Sequence, residues 1–311
     1  MGDVLKGKVC IVTGAGRGIG RGEALALAAE GAKVVVNDLG GAADGTGAAK
    51  GPADEVVAEI KKAGGVAVAN YDSVTSPEGA ERIIKTALDK FGKLDVLVNN
   101  AGILRDRMIF NMTPEEWDAV MKVHLYGHFY CARAACIIFR QQRSGRIINT
   151  ASTSGLGNMG QANYAAAKEG IVGFTRTVAR DMGRYGVTCN ALYPSAGTRL
   201  TLMPELAAAR EKRTAAGIAG TTGISTRFEV TNLMPEDVAP VVVWLASDAS
   251  ANVSGYVIHA RGGQIALYSI PAPERVIQKK GRWTLDELDA IVPVALTVGL
   301  INPAPPAPAK G

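Results

Sequence analysis

The chain has 311 residues, 47% hydrophobic and 20% charged, with a formal net charge of +5. These values exclude a wholly disordered chain and leave room for a large core in one α/β domain. No run of five Lys/Arg occurs and aromatic residues are only 5%, so the positive balance points to an anionic small molecule rather than nucleic acid. The four cysteines, Cys10, Cys131, Cys136 and Cys189, form no C-x-x-C pair and sit among apolar residues, which predicts buried free thiols in a reducing compartment. The N-terminal Lys6 and Lys8 lead straight into a strand-like run, and the apolar stretch at 291–301 is too short to span a bilayer. A soluble, cytoplasmic protein with no membrane partner is expected.

Short apolar runs alternate with amphipathic stretches. Runs at 9–13, 33–37, 66–69, 96–99, 146–149, 188–192 and 256–259 read as buried strands; stretches at 19–30, 53–63, 78–91, 114–142 and 163–184 read as helices. This order predicts a single-domain Rossmann-type doubly wound parallel sheet of about seven strands, with helices on both faces. Thr113-Pro114-Glu115-Glu116 marks one helix start, with a capping Thr, Pro at the first helical position and a Glu to close a capping box. The Gly/Ala-rich 39–52 segment reads as a loop. Residues 1–270 are taken as the catalytic domain, carrying a lid insert at 198–234 with a helix at 204–216. Residues 271–301 form a C-terminal extension in which Trp283, Leu285, Leu288 and Ile291 pack on the core or a partner subunit, and 302–311 form a disordered tail.

Thr13-Gly14-Ala15-Gly16-Arg17-Gly18-Ile19-Gly20 follows the first strand and opens the first helix. Glycines there let the backbone approach a pyrophosphate, and the helix N-terminus favours its charge. The spacing departs from strict G-x-G-x-x-G. Asp38, at the end of the second strand, is placed to accept hydrogen bonds from an adenosine ribose and to repel a 2′-phosphate, which argues for NAD over NADP; Arg17 is the counter-evidence, since it could pair with that phosphate. Asp72, after the third strand, is a candidate for the adenine amino group and equally for a helix cap before Pro77. Asn100, Ala101 and Gly102 follow the fourth strand, where small residues let a cofactor lie across the topological switch point.

Tyr164 and Lys168 lie four apart in a helical pattern and so share one face. A free phenol titrates near ~10, too high for proton transfer near neutrality, and an adjacent ammonium would lower it. Ser152, just after the fifth strand, can bond a substrate oxygen; Thr153 and Ser154 could do the same.

From about residue 4 to 263, these motifs together resemble the short-chain dehydrogenase/reductase family. The resemblance implies that Tyr164 is the general acid/base, that Lys168 lowers its pKa and holds the nicotinamide ribose, and that Ser152 positions the substrate. Pro194-Ser195-Ala196-Gly197-Thr198 resembles the segment that closes over the nicotinamide, so Pro194, Gly197 and Thr198 join the cofactor contacts; two residues separate the usual Pro-Gly pair. His124 stands where the family has an Asn that helps hold a relay water. His124 and His128 are spaced like a metal pair, but a zinc-peptidase pattern needs Glu where Leu125 stands, and no metal is expected.

The stretches Val35-Val36-Asn37-Asp38-Leu39-Gly40-Gly41, Ala101-Gly102-Ile103-Leu104-Arg105-Asp106-Arg107 and Gly160-Gln161-Ala162-Asn163-Tyr164 are similar to the (3R)-hydroxyacyl-CoA dehydrogenase unit of peroxisomal multifunctional β-oxidation enzymes, a group that includes 17β-hydroxysteroid dehydrogenases. That similarity implies NAD, a 3-hydroxyacyl-CoA or steroid-type substrate, and a homodimer or homotetramer formed through the long helices. Alternatives are a dehydrogenase of another bulky secondary alcohol and a non-catalytic NAD-binding regulatory subunit.

Overall fold

The computed structural model describes residues 2–197 and 233–300. Thr198, nearly all of the expected lid, its cationic residues and the 302–311 tail lie outside the described residues.

Strand β1 (Val9–Thr13) leads through the glycine turn into helix α1 (Gly18–Ala29) and then β2 (Lys33–Asn37). Helix α2 (Gly51–Lys62), β3 (Val66–Asn70), α3 (Pro77–Phe91) and β4 (Val96–Asn99) complete the first half. The second half runs α4 (Pro114–Met121), α5 (Gly127–Gln142), β5 (Gly145–Thr150), α6 (Ala162–Gly183), β6 (Val187–Ser195), α7 (Ala239–Ala246), β7 (Val257–Arg261), β8 (Gln264–Tyr268) and α8 (Leu285–Ala295).

The described strands form one eight-stranded sheet in the order β3-β2-β1-β4-β5-β6-β7-β8. All neighbours are parallel except β7 and β8. The sheet thus has one strand more than the seven expected: the chain turns back at Gly262–Gly263 and pairs Arg261 with Gln264. Successive residues of β1 face opposite layers. Cys10 and Val12 pack with Leu27, Val56, Val241 and Leu245 from α1, α2 and α7, whereas Val9 and Ile11 pack with Ile83, Phe139 and Val178 from α3, α5 and α6. Coverage on both faces explains why the strands read as uninterrupted apolar runs.

The helix expected at 114–142 is not uniform. Its Thr113–Glu116 capping box forms as read, but the chain passes through a π-helical turn at Lys122–Tyr126 between α4 and α5. Such turns widen a helix locally and recur at functional sites. Helix α8 starts at a Thr284–Glu287 capping box and buries no residue of its own; Leu285 and Val294 are exposed. The order of β1 and β4 about the start of the chain places the topological switch between them, and the cleft opens at their carboxyl ends.

Candidate active site

A cleft of ≈ 330 Å³ lies over the ends of β1, β2 and β4, lined by Gly14, Arg17, Ile19, Gly20, Asp38, Asp72 and Asn100–Gly102 among others. Its floor is backbone. Gly14 and Gly18 have φ of +64° and +56°, a region that disfavours other residues. A Cβ at Gly20 would lie 2.3 Å from Asn100 Nδ2 and 2.4 Å from Gly14 O. Asn100 holds the turn from beneath, its Nδ2 donating to the carbonyls of Thr13 (3.0 Å) and Gly14 (3.1 Å). The Thr13 hydroxyl accepts the N–H groups of Asn100 and Ala101 at 3.0 and 3.1 Å, a support that sequence reasoning overlooked.

The N-terminus of α1 has no side-chain cap and no acidic residue in its first turn. Its free N–H groups and positive dipole end therefore face the cleft, as a phosphate site requires. Asp38 sits half-buried at the far end. Its carboxylate accepts the Gly16 N–H at 2.7 Å and the Gly40 N–H at 2.6 Å, tying the glycine turn to the end of β2. Each oxygen keeps a lone pair for a ribose hydroxyl. Gly16 serves this tie rather than lining the cleft. Asp72 lines the cleft but is anchored by Arg82 Nε (2.5 Å) and Asn70 Nδ2 (2.9 Å). It is not the helix cap: Ser76 caps α3 by accepting the Gly79 N–H. The uncapped helix start and the Asp38 carboxylate fit the phosphates and ribose of a dinucleotide.

The second half of the site is built from side chains. Tyr164 and Lys168 project from the same face of α6, with Lys168 Nζ 5.4 Å from the Tyr164 ring centroid. Lys168 is only 2% exposed and donates to the Thr150 carbonyl at 2.5 Å. Of the three neighbouring hydroxyls considered, Ser152 bonds the Tyr164 phenol, and its Oγ also accepts the Ser154 N–H at 3.1 Å. The His124 ring lies edge-on to Tyr164 at 5.1 Å, and its Nε2 is 2.8 Å from the Ile103 carbonyl. His124 is buried and its ring is held neutral, first by desolvation and then by the charge of Lys168. His128 is also buried; desolvation lowers it to about 3, and its ring meets the His124 carbonyl. Pro194 lies in β6, paired with Ala260, and Gly197 N–H donates to the Leu233 carbonyl at 2.7 Å. Neither lines the cleft over β1 and β4.

The proton affinities differ from the sequence expectation. Burial raises Tyr164 to about 12, with the Ser152 hydrogen bond pulling it back and Asp106 adding to the rise. Burial lowers Lys168 to about 7. A low-dielectric pocket penalises both ionised forms, and here that penalty exceeds the expected acidifying effect of the ammonium on the phenol. The phenol is therefore protonated at neutral pH, the state of a proton donor.

The family model described as short chain dehydrogenase matches residues 8–209. The chain belongs to the short-chain dehydrogenase family. It is 50% identical over 289 residues to a protein of Mycobacterium tuberculosis named as a short-chain type dehydrogenase/reductase, covering 89% of this chain and 92% of that one. It is 42% identical to the hydroxyacyl-CoA dehydrogenase ChsB1 of the same organism, over 92% and 87% of the two chains. It is also 46% identical to mouse peroxisomal multifunctional enzyme type 2, over 80% of this chain but only 31% of that larger protein. A crystal structure of a short chain dehydrogenase from Mycobacterium avium matches with a TM-score of 0.77 and 46% identity, covering 93% of this chain and 94% of the other. The chain is thus an oxidoreductase acting on CH–OH groups, in a family that uses nicotinamide cofactors. Among the described residues no helix is long and apolar enough to cross a membrane.

Proposed function

We propose that the protein is an NAD-dependent dehydrogenase of 3-hydroxyacyl-CoA-type substrates, with Tyr164 as general acid/base. The observation that carries this reading is the meeting of Ser152, Tyr164 and Lys168 in a fold whose cleft over the glycine turn is lined by Asp38. The bound dinucleotide would supply the hydride acceptor or donor at its nicotinamide. Ser152 orients the substrate oxygen. Tyr164 gives its proton to a carbonyl oxygen in reduction and takes one from the hydroxyl in oxidation. Lys168, fixed by the Thr150 carbonyl, lies beside the phenol, where its protonated form would favour phenolate, and it would bond the nicotinamide ribose of a bound cofactor. Because burial keeps the phenol protonated, oxidation gains from rising pH and reduction from neutral pH.

Asp38 supports NAD: its carboxylate would repel a 2′-phosphate. Arg17 is exposed at the mouth of the same cleft and favours the opposite choice only if it outweighs that repulsion. The name of ChsB1, a hydroxyacyl-CoA dehydrogenase, supports the acyl-CoA class. Exposed Tyr126, Phe129 and Ile137 around α5 support a homo-oligomer formed through that face. The test is a panel of 3-hydroxyacyl-CoAs and hydroxysteroids with NAD and NADP, following reduced nicotinamide. Highest kcat/KM is expected for a 3-hydroxyacyl-CoA with NAD. A hydroxysteroid that outperforms every acyl-CoA, or a preference for NADP, would refute the corresponding part.

A further inference from the structure

The segment between β4 and α4 is pinned on both sides. Leu104 N–H donates to the Ala43 carbonyl at 3.1 Å and Arg105 Nε to the Asp44 carbonyl at 2.7 Å, binding it to the loop after β2. On the other side, Asn163 Nδ2 donates to the Arg105 carbonyl at 3.0 Å and Arg107 N–H to the Gly160 carbonyl at 2.8 Å. Between these clamps sits Asp106. Its Oδ2 accepts Gln161 Nε2 at 2.7 Å, while its Oδ1 is buried with no hydrogen-bond partner among the described residues. The chain of bonds continues: Asn158 Nδ2 donates to Gln161 Oε1 at 2.7 Å and to Ser154 Oγ at 3.4 Å, and Ser154 N–H donates to Ser152 Oγ. A carboxylate is therefore linked through the side chains of Gln161 and Asn158 to the Ser154 hydroxyl, and the backbone N–H of that same Ser154 holds the Ser152 hydroxyl.

The cations beside Asp106 are engaged elsewhere. Arg105 is turned to the Asp44 carbonyl, and Arg107 pairs with Glu116 at 2.7 Å. The groups around Tyr164 are Lys168 on its own helix, His124 on the π-helical turn, Ser152 and Asp106. We propose that Asp106 is a positioning residue: through Gln161, Asn158 and the backbone of Ser154 it holds the Ser152 hydroxyl in register with Tyr164.

This inference rests on the reading of Tyr164 as the acid/base. Asp106→Asn keeps an oxygen for Gln161, whereas Asp106→Leu and Gln161→Leu cut the bond chain. Both Leu variants should lower kcat about tenfold with KM for NAD within about twofold of wild type, and Asp106→Asn should restore kcat to near wild type. Full kcat in Gln161→Leu, or a loss in Asp106→Asn as large as in Asp106→Leu, overturns the positioning role. Full activity in Tyr164→Phe would instead overturn the underlying assignment.

Discussion

Between the glycine turn at 13–20 and the cluster around Tyr164, the kind of atom that forms the site changes. The nucleotide end is made of main-chain N–H groups, an uncapped helix start and glycines packed too closely to accept a Cβ. Its residues are fixed by sterics, and one charged side chain, Asp38, ties the turn to the sheet. The other end is made of buried titratable side chains whose proton affinities are displaced by desolvation. One end should therefore fail through volume, the other through charge.

The sharpest contrast at the nucleotide end is Gly20→Val. The new Cβ would collide with Asn100 Nδ2 and Gly14 O, at 2.3 and 2.4 Å. Cofactor affinity should fall by ~100-fold or more, with roughly 1–3 kcal/mol lost from stability. Calorimetric titration with NAD checks it, and wild-type affinity would break the steric half of the comparison.

At the catalytic end, Lys168→Met tests charge. Burial holds Lys168 at about 7 in the fold, whereas an unfolded lysine titrates near ~10.4. Between those values the unfolded chain binds the extra proton, so wild-type stability rises with pH through this window. The variant lacks that gain. Urea unfolding without cofactor at about pH 7 and about pH 9 should show wild type gaining on the variant by roughly 2 kcal/mol. Equal slopes for the two proteins would show that burial does not discharge Lys168.

Asp38→Ala lies between the two regimes, because it removes both a charge and two backbone ties. Discrimination for NAD over NADP should shrink about tenfold, and stability should drop by about 1 kcal/mol per lost bond. Paired kcat/KM values with the two cofactors and a thermal melt measure these separately. The smallest effect is expected at Gly173→Ala, in α6, where a Cβ meets nothing within 4 Å. A gain of roughly 0.5–1 kcal/mol from helix propensity, with activity unchanged, would confirm that glycines outside the turn are replaceable.

The fold was legible where structure is local. The strand of 9–13, the glycine turn and the Thr113–Glu116 cap each follow from a contiguous pattern, and each formed as read. Helix α7 escaped because Ala239–Ala246 is apolar along almost its whole length, which hides the helical period. β8 escaped although Arg261-Gly262-Gly263-Gln264 carried a hairpin signal; exposed Ile265 and Leu267 blur its alternation. In the site, Ser152, Tyr164 and Lys168 converge because their spacing already placed them near one another. Gln161 and Asp106 are separated by 55 positions, and only the tertiary clamp on 103–107 joins them. The π-helical turn at His124 and the net rise in Tyr164 proton affinity both depend on burial, which no single segment encodes.

The most direct test of the proton-transfer role is Tyr164→Phe, with NAD affinity and turnover measured on the same preparation. Unaltered NAD binding with turnover reduced by ~100-fold or more is the predicted result. Turnover close to wild type would mean that another group moves the proton and that the buried phenol is structural.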